Sequence, residues 1–128
     1  MTVTIPGQPK AQKRHRTNGR RRYDPSAGDK RMIQQYLLPI KPSKPLAGKF
    51  EVSITAFFQT PTSWSEKKQK EHEGQHRPKQ PDCDNIEKII LDAMNGYIIQ
   101  DDGQVVATHT EKRYSTSPRT EIQIKVLD

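Results

Sequence analysis

The sequence predicts a small single-domain α+β protein, a mixed sheet of about four strands with two or three helices, working as a homodimer. Three observations carry this. Apolar and polar residues alternate over 50–58 (Phe50, Val52, Ile54, Ala56 against Glu51, Ser53, Thr55), the period of a half-buried strand. Apolar residues recur at Ile86, Ile89, Ile90, Ala93 and Met94, the i, i+3, i+4, i+7, i+8 stripe of a core-facing helix. The chain has 128 residues, of which 30% are hydrophobic. With the seven glycines the apolar share is about 35%, against about 45–50% in an ordinary globular chain. That length suits one domain, and so polar a chain is expected to carry floppy segments, pair with a copy of itself, or both.

The remaining elements follow in order. Residues 2–5 alternate and read as a short strand stopped by Pro6-Gly7. A basic loop over 7–25 precedes a helix over 26–38, with Ser26 as N-cap, Asp29 in its first turn and Met32, Ile33, Tyr36 and Leu37 as its apolar stripe. Pro39, Pro42 and Pro45 stiffen the connector that follows. The segment 60–80 is a polar insert expected to be mobile. Its one large apolar residue is Trp64, and Ser63 with Glu66 reads as a capping box for a short helix over 64–73. For the apolar helix, Asp84 stands at the N-cap, Glu87 three residues on, and Gly96 supplies the stop. Residues 105–114 and 120–127 read as a closing hairpin joined through Ser117-Pro118.

The charge is divided sharply. The total is +7, but residues 1–49 hold 12 Lys/Arg against two acids, a net of +10, and residues 50–128 hold ten against 13, a net of −3. Lys10, Lys13, Arg14, Arg16, Arg20, Arg21 and Arg22 form an acid-free cluster. A solvated basic arm is one reading. The sharper one is a phosphate-backbone contact surface, because guanidinium groups bind phosphate oxygens bidentately and release counterions. No apolar run approaches a membrane span, Met1 opens into a polar strand rather than a signal peptide, and the single Cys83 excludes an internal disulfide or a Cys-based zinc cage. A soluble protein of a reducing compartment is expected.

The acids concentrate around the apolar helix. Asp82 and Asp84 bracket Cys83 just before it, and Asp101 and Asp102 sit in a turn just after it. If 97–100 ran back extended, the two pairs would meet at the helix N-terminus, since four to six extended residues reach about 13–20 Å and a ten-residue helix spans about 15 Å. Carboxylates gathered so closely call for a hard divalent cation, and beside a basic arm that points to metal-assisted phosphodiester hydrolysis. Each residue also has an ordinary structural use. Asp84 can simply cap, Asp-Asp-Gly can simply turn, and Lys88 can pair with Asp84 and Asp92 at i,i+4.

A resemblance joins these signals. Pro81-Asp82-Cys83-Asp84-Asn85-Ile86-Glu87-Lys88, then Leu91-Asp92-Ala93-Met94-Asn95-Gly96, then Asp101-Asp102-Gly103-Gln104-Val105 is similar to the RusA family of Holliday junction resolvases in order and spacing. Ile5-Pro6-Gly7-Gln8-Pro9, Arg14/Arg16 and Tyr23-Asp24-Pro25 resemble that family's N-terminal half more loosely. The resemblance implies a Mg²⁺-dependent endodeoxyribonuclease, with Mn²⁺ able to substitute and no organic cofactor. It implies a homodimer that nicks a four-way DNA junction symmetrically in recombination and repair, in the cytoplasm of a bacterium or encoded by a phage or prophage, away from membranes. It places the catalytic core in 81–105, with Asp82, Asp84 and Asp102 as catalytic acids and metal ligands, Asp101 as a further ligand, and Lys88 as the essential lysine that stabilises phosphorane-like charge or orients water. Asn85 could orient a ligand or water, or serve the helix start.

Other patterns compete. His72-Glu73-Gly74-Gln75-His76 matches a zinc-peptidase motif, but its surroundings lack the apolar face such a helix needs. A nuclease motif of the PD-(D/E)xK type opening at Asp82 lacks its Asp/Glu-x-Lys at the right spacing. Cys83 reads as a small filler rather than a nucleophile. The non-enzymatic alternative is a basic nucleic-acid-binding module whose acids merely cap and turn. Replacing Arg14, Arg16 and Arg20 to Arg22 with Ala is expected to weaken junction binding and flatten its salt dependence, read from binding isotherms across a salt series. An unchanged slope would contradict the phosphate-contact reading.

Overall fold

The computed structural model describes residues 1–13, 16–18 and 21–128. The alternating segment forms the strand around which the rest is built, Lys49–Gln59 (β4), with Phe50, Val52, Ile54, Ala56 and Phe58 buried on one face. It is paired on both edges. Arg119–Leu127 (β6) runs antiparallel to it on one side and Val105–Ser115 (β5) runs parallel on the other. Thr2–Pro6 (β1) pairs antiparallel with β6, which makes the order β1-β6-β4-β5. Within the basic loop, Arg16–Asn18 (β2) and Arg21–Tyr23 (β3) form a separate antiparallel ribbon.

Among the described residues three helices accompany the sheet, Ala27–Leu37 (α1), Glu66–His72 (α2) and Cys83–Met94 (α3), so the predicted α+β mixed-sheet architecture is present. A parallel β4–β5 pair needs a crossover, and the chain between them supplies α2 and α3. Ile86, Ile89, Ile90, Ala93 and Met94 of α3 are all buried, as their spacing predicts. With Ile33 and Leu37 of α1 they join the apolar face of β4 in one contiguous core. The helices cover that face alone. The opposite face carries polar side chains such as Glu51, Ser53, Thr55 and Gln123, with Phe57 lying 3.9 Å under the Arg119 guanidinium. The scarce apolar residues are thus concentrated rather than spread, and a continuous core forms within one chain. Low apolar content does not by itself demand a partner.

The structure corrects several local readings. β5 and β6 exist but are not a hairpin, because β4 lies between them. The link 116–118 steps over the end of β4, two strand spacings or about 9.6 Å, which three residues just span. Ser26 stands at the N-cap of α1, but its Oγ accepts from the Lys13 amide (2.8 Å) instead of capping. Helix α2 is shorter than expected and is capped by Ser65, whose Oγ accepts from Lys68 N at 3.2 Å, rather than by Ser63. Helix α3 begins earlier, with Asp82 and not Asp84 at its N-cap. Gly96 adopts a φ of 72° and ends it as expected.

The polar segment 60–80 is tied to the sheet along its length. Glu73 accepts from the Thr116 amide (2.9 Å) and hydroxyl (3.1 Å), and Trp64 and His72 pack on Tyr114. Beyond them, 74–77 runs along the free edge of β5, with hydrogen bonds from Gly74 N to Tyr114 O (2.8 Å), Tyr114 N to Gln75 O (2.9 Å) and Arg77 N to Lys112 O (3.0 Å). The insert therefore covers an edge that would otherwise offer unpaired backbone groups. No helix among the described residues is long and apolar enough to cross a membrane. Because Ile54 is fully buried at the centre of the sheet, Ile54→Ala is expected to cost about 2–5 kcal/mol. That loss reads as a lower urea midpoint at unchanged slope.

Candidate active site

Asp82 is extended (φ −74°, ψ 151°), and its carbonyl accepts the amides of Asn85 (3.2 Å) and Ile86 (3.3 Å). Its carboxylate makes no capping bond. Asp84 lies in the first turn, and its Oδ1 accepts from the Asn85 amide at 3.0 Å. Both side chains are exposed, so two carboxylates stand at the positive end of the α3 dipole with oxygens open to a ligand. Cys83 between them is half-buried.

The second acid pair divides its work. Asp101 caps the 3₁₀ turn Asp102–Gln104, accepting from Gly103 N at 3.0 Å, while Gln104 Oε1 accepts from the Asp101 amide at 2.7 Å. A Cβ at Gly103 would stand 2.7 Å from Asp101 Oδ2, so a side chain there would have to displace the capping carboxylate. Gln104 Nε2 anchors the turn to Leu46 O and Gly48 O, both at 3.0 Å. Asp101 thus holds the turn and Asp102, exposed beside it, carries no such duty.

The pairs do not meet within one chain. The segment expected to run back extended is instead wound under the last turn of α3: the amides of Tyr97 and Ile98 both donate to Met94 O (3.0 and 2.9 Å), and Ile98 and Ile99 are fully buried. Burying those two isoleucines consumes the length a return would need. Asp101 and Asp102 therefore stand at the C-terminal end of α3, while Asp82 and Asp84 stand at its start. The ten helical steps from Asp84 to Met94 put about 15 Å between those ends. Among the described residues no group of three or more His, Cys, Asp or Glu is placed to hold a metal ion.

Lys88 is 54% exposed and pairs with Asp92 at 3.6 Å, not with Asp84. Asp92 Oδ2 also lies 3.2 Å from Lys30 Nζ, which is only 18% exposed and reaches Asp24 at 2.6 Å. Asp24 Oδ1 accepts from Ser26 N (2.9 Å) and Gln12 Nε2 (3.0 Å), and the Gln12 amide donates to Asn85 O at 2.9 Å. A continuous polar chain therefore runs from the stems of the basic segment to both the start of α3 and Lys88. Asp24, Lys30 and Gln12 were not singled out by sequence. Only the Tyr-Asp-Pro stretch hinted at Asp24, because pairing across α1 and α3 leaves no local pattern.

Of the basic residues, Lys10 and Lys13 are exposed, Arg16 lies on β2, and Arg21 and Arg22 lie on β3. Arg14 and Arg20 lie outside the described residues. The two histidines of the peptidase-like motif are separately engaged. His72 stacks on Trp64 with its Nδ1 2.8 Å from Lys68 O, and His76 Nε2 is 2.9 Å from Glu111 Oε2 on β5.

Known proteins resemble this chain along most of its length. A family model described as "Endodeoxyribonuclease RusA" matches residues 6–125. A curated protein of Bacillus subtilis (strain 168), "Uncharacterized protein YqaN", is 34% identical over 132 aligned positions, covering 95% of this chain and 93% of that protein.

The polar chain has a pH signature. The Lys30 ammonium holds the Asp24 carboxyl well below the usual carboxylate range; burial opposes this, and the Ser26 and Gln12 amides reinforce it. A folded pKa below the unfolded one means that the stabilisation is present above about pH 4. It is lost as pH falls further toward the folded value. Asp24→Asn is therefore expected to cost about 1.5–3 kcal/mol at neutral pH, with the gap to the parent closing below pH ~4. Urea midpoints across pH measure this, and a gap independent of pH would contradict it.

Proposed function

The chain belongs to the RusA endodeoxyribonuclease family, and from that premise we propose that it is a Mg²⁺-dependent resolvase of four-way DNA junctions. It acts as a homodimer making paired symmetric nicks in recombination and repair. One observation carries the dimer: the acids stand as two exposed pairs at opposite ends of α3, and neither pair has a third carboxylate beside it.

Among the described residues of one chain no three carboxylates gather, so a three-carboxylate site is incomplete in a single copy. Two copies related by a twofold axis across the middle of α3 would run these helices antiparallel. The partner's Asp102 would then lie beside Asp82 and Asp84, twice over, giving two equivalent sites for two cuts. Three carboxylates are the hard oxygen donors that suit Mg²⁺, which when bound polarises the phosphate and activates water. Lys88 supplies positive charge toward the developing phosphorane from one turn inside the helix. Its exposed contact with Asp92 is worth no more than about 1 kcal/mol, so the ammonium can leave it for a phosphate. The basic N-terminal segment, tied through Gln12 to Asn85, holds the DNA backbone close to the acids.

Asp82→Asn and Asp102→Asn are each expected to abolish cleavage of a synthetic junction with Mg²⁺ and leave binding intact or tighter. Mixed and re-equilibrated, these two inactive variants should recover cleavage. One of the two sites in each heterodimer then keeps all three of its acids, so single nicks appear instead of pairs. No recovery would sink the shared site, and a monomeric mass at micromolar protein would sink the dimer. Junction binding without cutting by the unaltered protein in Mg²⁺ or Mn²⁺ would favour the non-catalytic binding module.

A further inference from the structure

The acids at the start of α3 have cations on a second side, contributed by the polar insert and β5 rather than by the N-terminal segment. The Arg77 guanidinium lies 4.3 Å over the ring of Phe58 and donates to Gln80 O at 2.6 Å and Lys79 O at 3.3 Å. Lys112 Nζ donates to the same Lys79 carbonyl at 2.7 Å. Two cations thus converge on the loop that runs into Asp82, and the Lys79 side chain is exposed on that loop.

None of the three forms an ion pair, although the described residues hold every Asp and Glu of the chain. Their neighbours are treated differently. Arg113 pairs with Glu111, and Arg119 with Glu121, both at 2.9 Å. Strand alternation turns Glu111 and Arg113 to one face of β5 and Lys112 to the other, the face shared with Thr110. Thr110 Oγ1 donates to Glu87 Oε1 at 3.0 Å, which fixes the level of α3 against β5. Since α3 runs against β5, Lys112 is about 6.8 Å beyond Thr110 along the strand. Asp84 is about 4.5 Å before Glu87 along the helix. The uncompensated cations therefore flank the acid pair on its β5 side, while Gln12 and Lys30 bring the N-terminal segment to its α1 side.

Cations held close together without a counter-acid repel one another, and a polyanion relieves that repulsion. They also offset the repulsion between Asp82, Asp84 and an approaching phosphate. We propose that Arg77, Lys79 and Lys112 form a second phosphate-binding bank, which grips the DNA backbone on the side of the cut away from the N-terminal basic segment. The proposal rests on the reading of Asp82 and Asp84 as the cutting site.

The test uses the full-length protein carrying Asp82→Asn, so that bound junction stays intact. Lys79→Gln and Lys112→Gln are added singly and together, and binding is measured across a salt series. Each lost phosphate contact should lower the slope of log K against log salt by about 0.9, so the double variant by about 1.8. Lys112→Arg should keep the parent slope. Slopes unchanged in both glutamine variants would overturn the proposal and leave Arg77 and Lys112 as ties that merely shape the loop. Lys79→Gln decides the matter even if Lys112→Gln misfolds, because its side chain is exposed. Were the unaltered protein neither to bind nor to cut a junction, both readings would fall; were it to cut while the slopes stayed fixed, only this one would.

Discussion

The parallel pairing of β4 with β5 is the constraint on which the rest of this molecule depends. A parallel neighbour obliges the chain to leave one end of β4 and return to the other before β5 can begin. Helix α3 makes that return, running against both strands with its apolar stripe on the sheet. Its first turn is consequently fixed at one end of the sheet and its last at the other. The same pairing places β6 on the far edge of β4, so the closing strand has to step over its end. The positions of Asp82, Asp84, Asp101 and Asp102 follow from this crossover, because each belongs to the start of α3 or to the turn that leads into β5.

Electrostatics then separates what is anchored from what is free. Lys30 is mostly buried and shared between two carboxylates, so it acts as a fixed tie between α1, α3 and the stems of the basic segment. An ion pair removed from water adds little net stability, because desolvation offsets most of the Coulomb attraction. What such a tie specifies is geometry. Lys88, touching the same Asp92 from the solvent side, is held weakly and can move. One carboxylate thus serves a rigid partner and a mobile one. Asp101 and Asp102 show a similar division, the first spent on the capping box of its turn and the second left exposed.

Much of this was legible because the patterns are local. Alternation over 50–58 and the stripe from Ile86 to Met94 identify a strand and a helix by where they must bury apolar surface. Gly96 marks the helix end because its backbone is left-handed. Caps were harder to read. Asp82, Asp84, Ser63 and Ser65 all have the chemistry of an N-cap, and which one is used depends on where packing starts the helix. The supposed hairpin failed for a related reason: strand patterns show that 105–114 and 120–127 are extended, not which strand each pairs with.

The sequence by itself determined the family resemblance and the candidates it singles out, Asp82, Asp84, Asp102 and Lys88, since a motif is written in the order and spacing of residues along the chain. Where those groups stand in space was decided only by the tertiary structure. Ile98 and Ile99 look like part of an extended return until the core shows room for both beneath α3, and that burial keeps the acid pairs apart. The ties from Gln12, Asp24 and Lys30, and the cations of Arg77, Lys79 and Lys112, likewise join residues distant in sequence. No period or motif links such positions, because their contact is set by which faces the sheet and helices turn to one another.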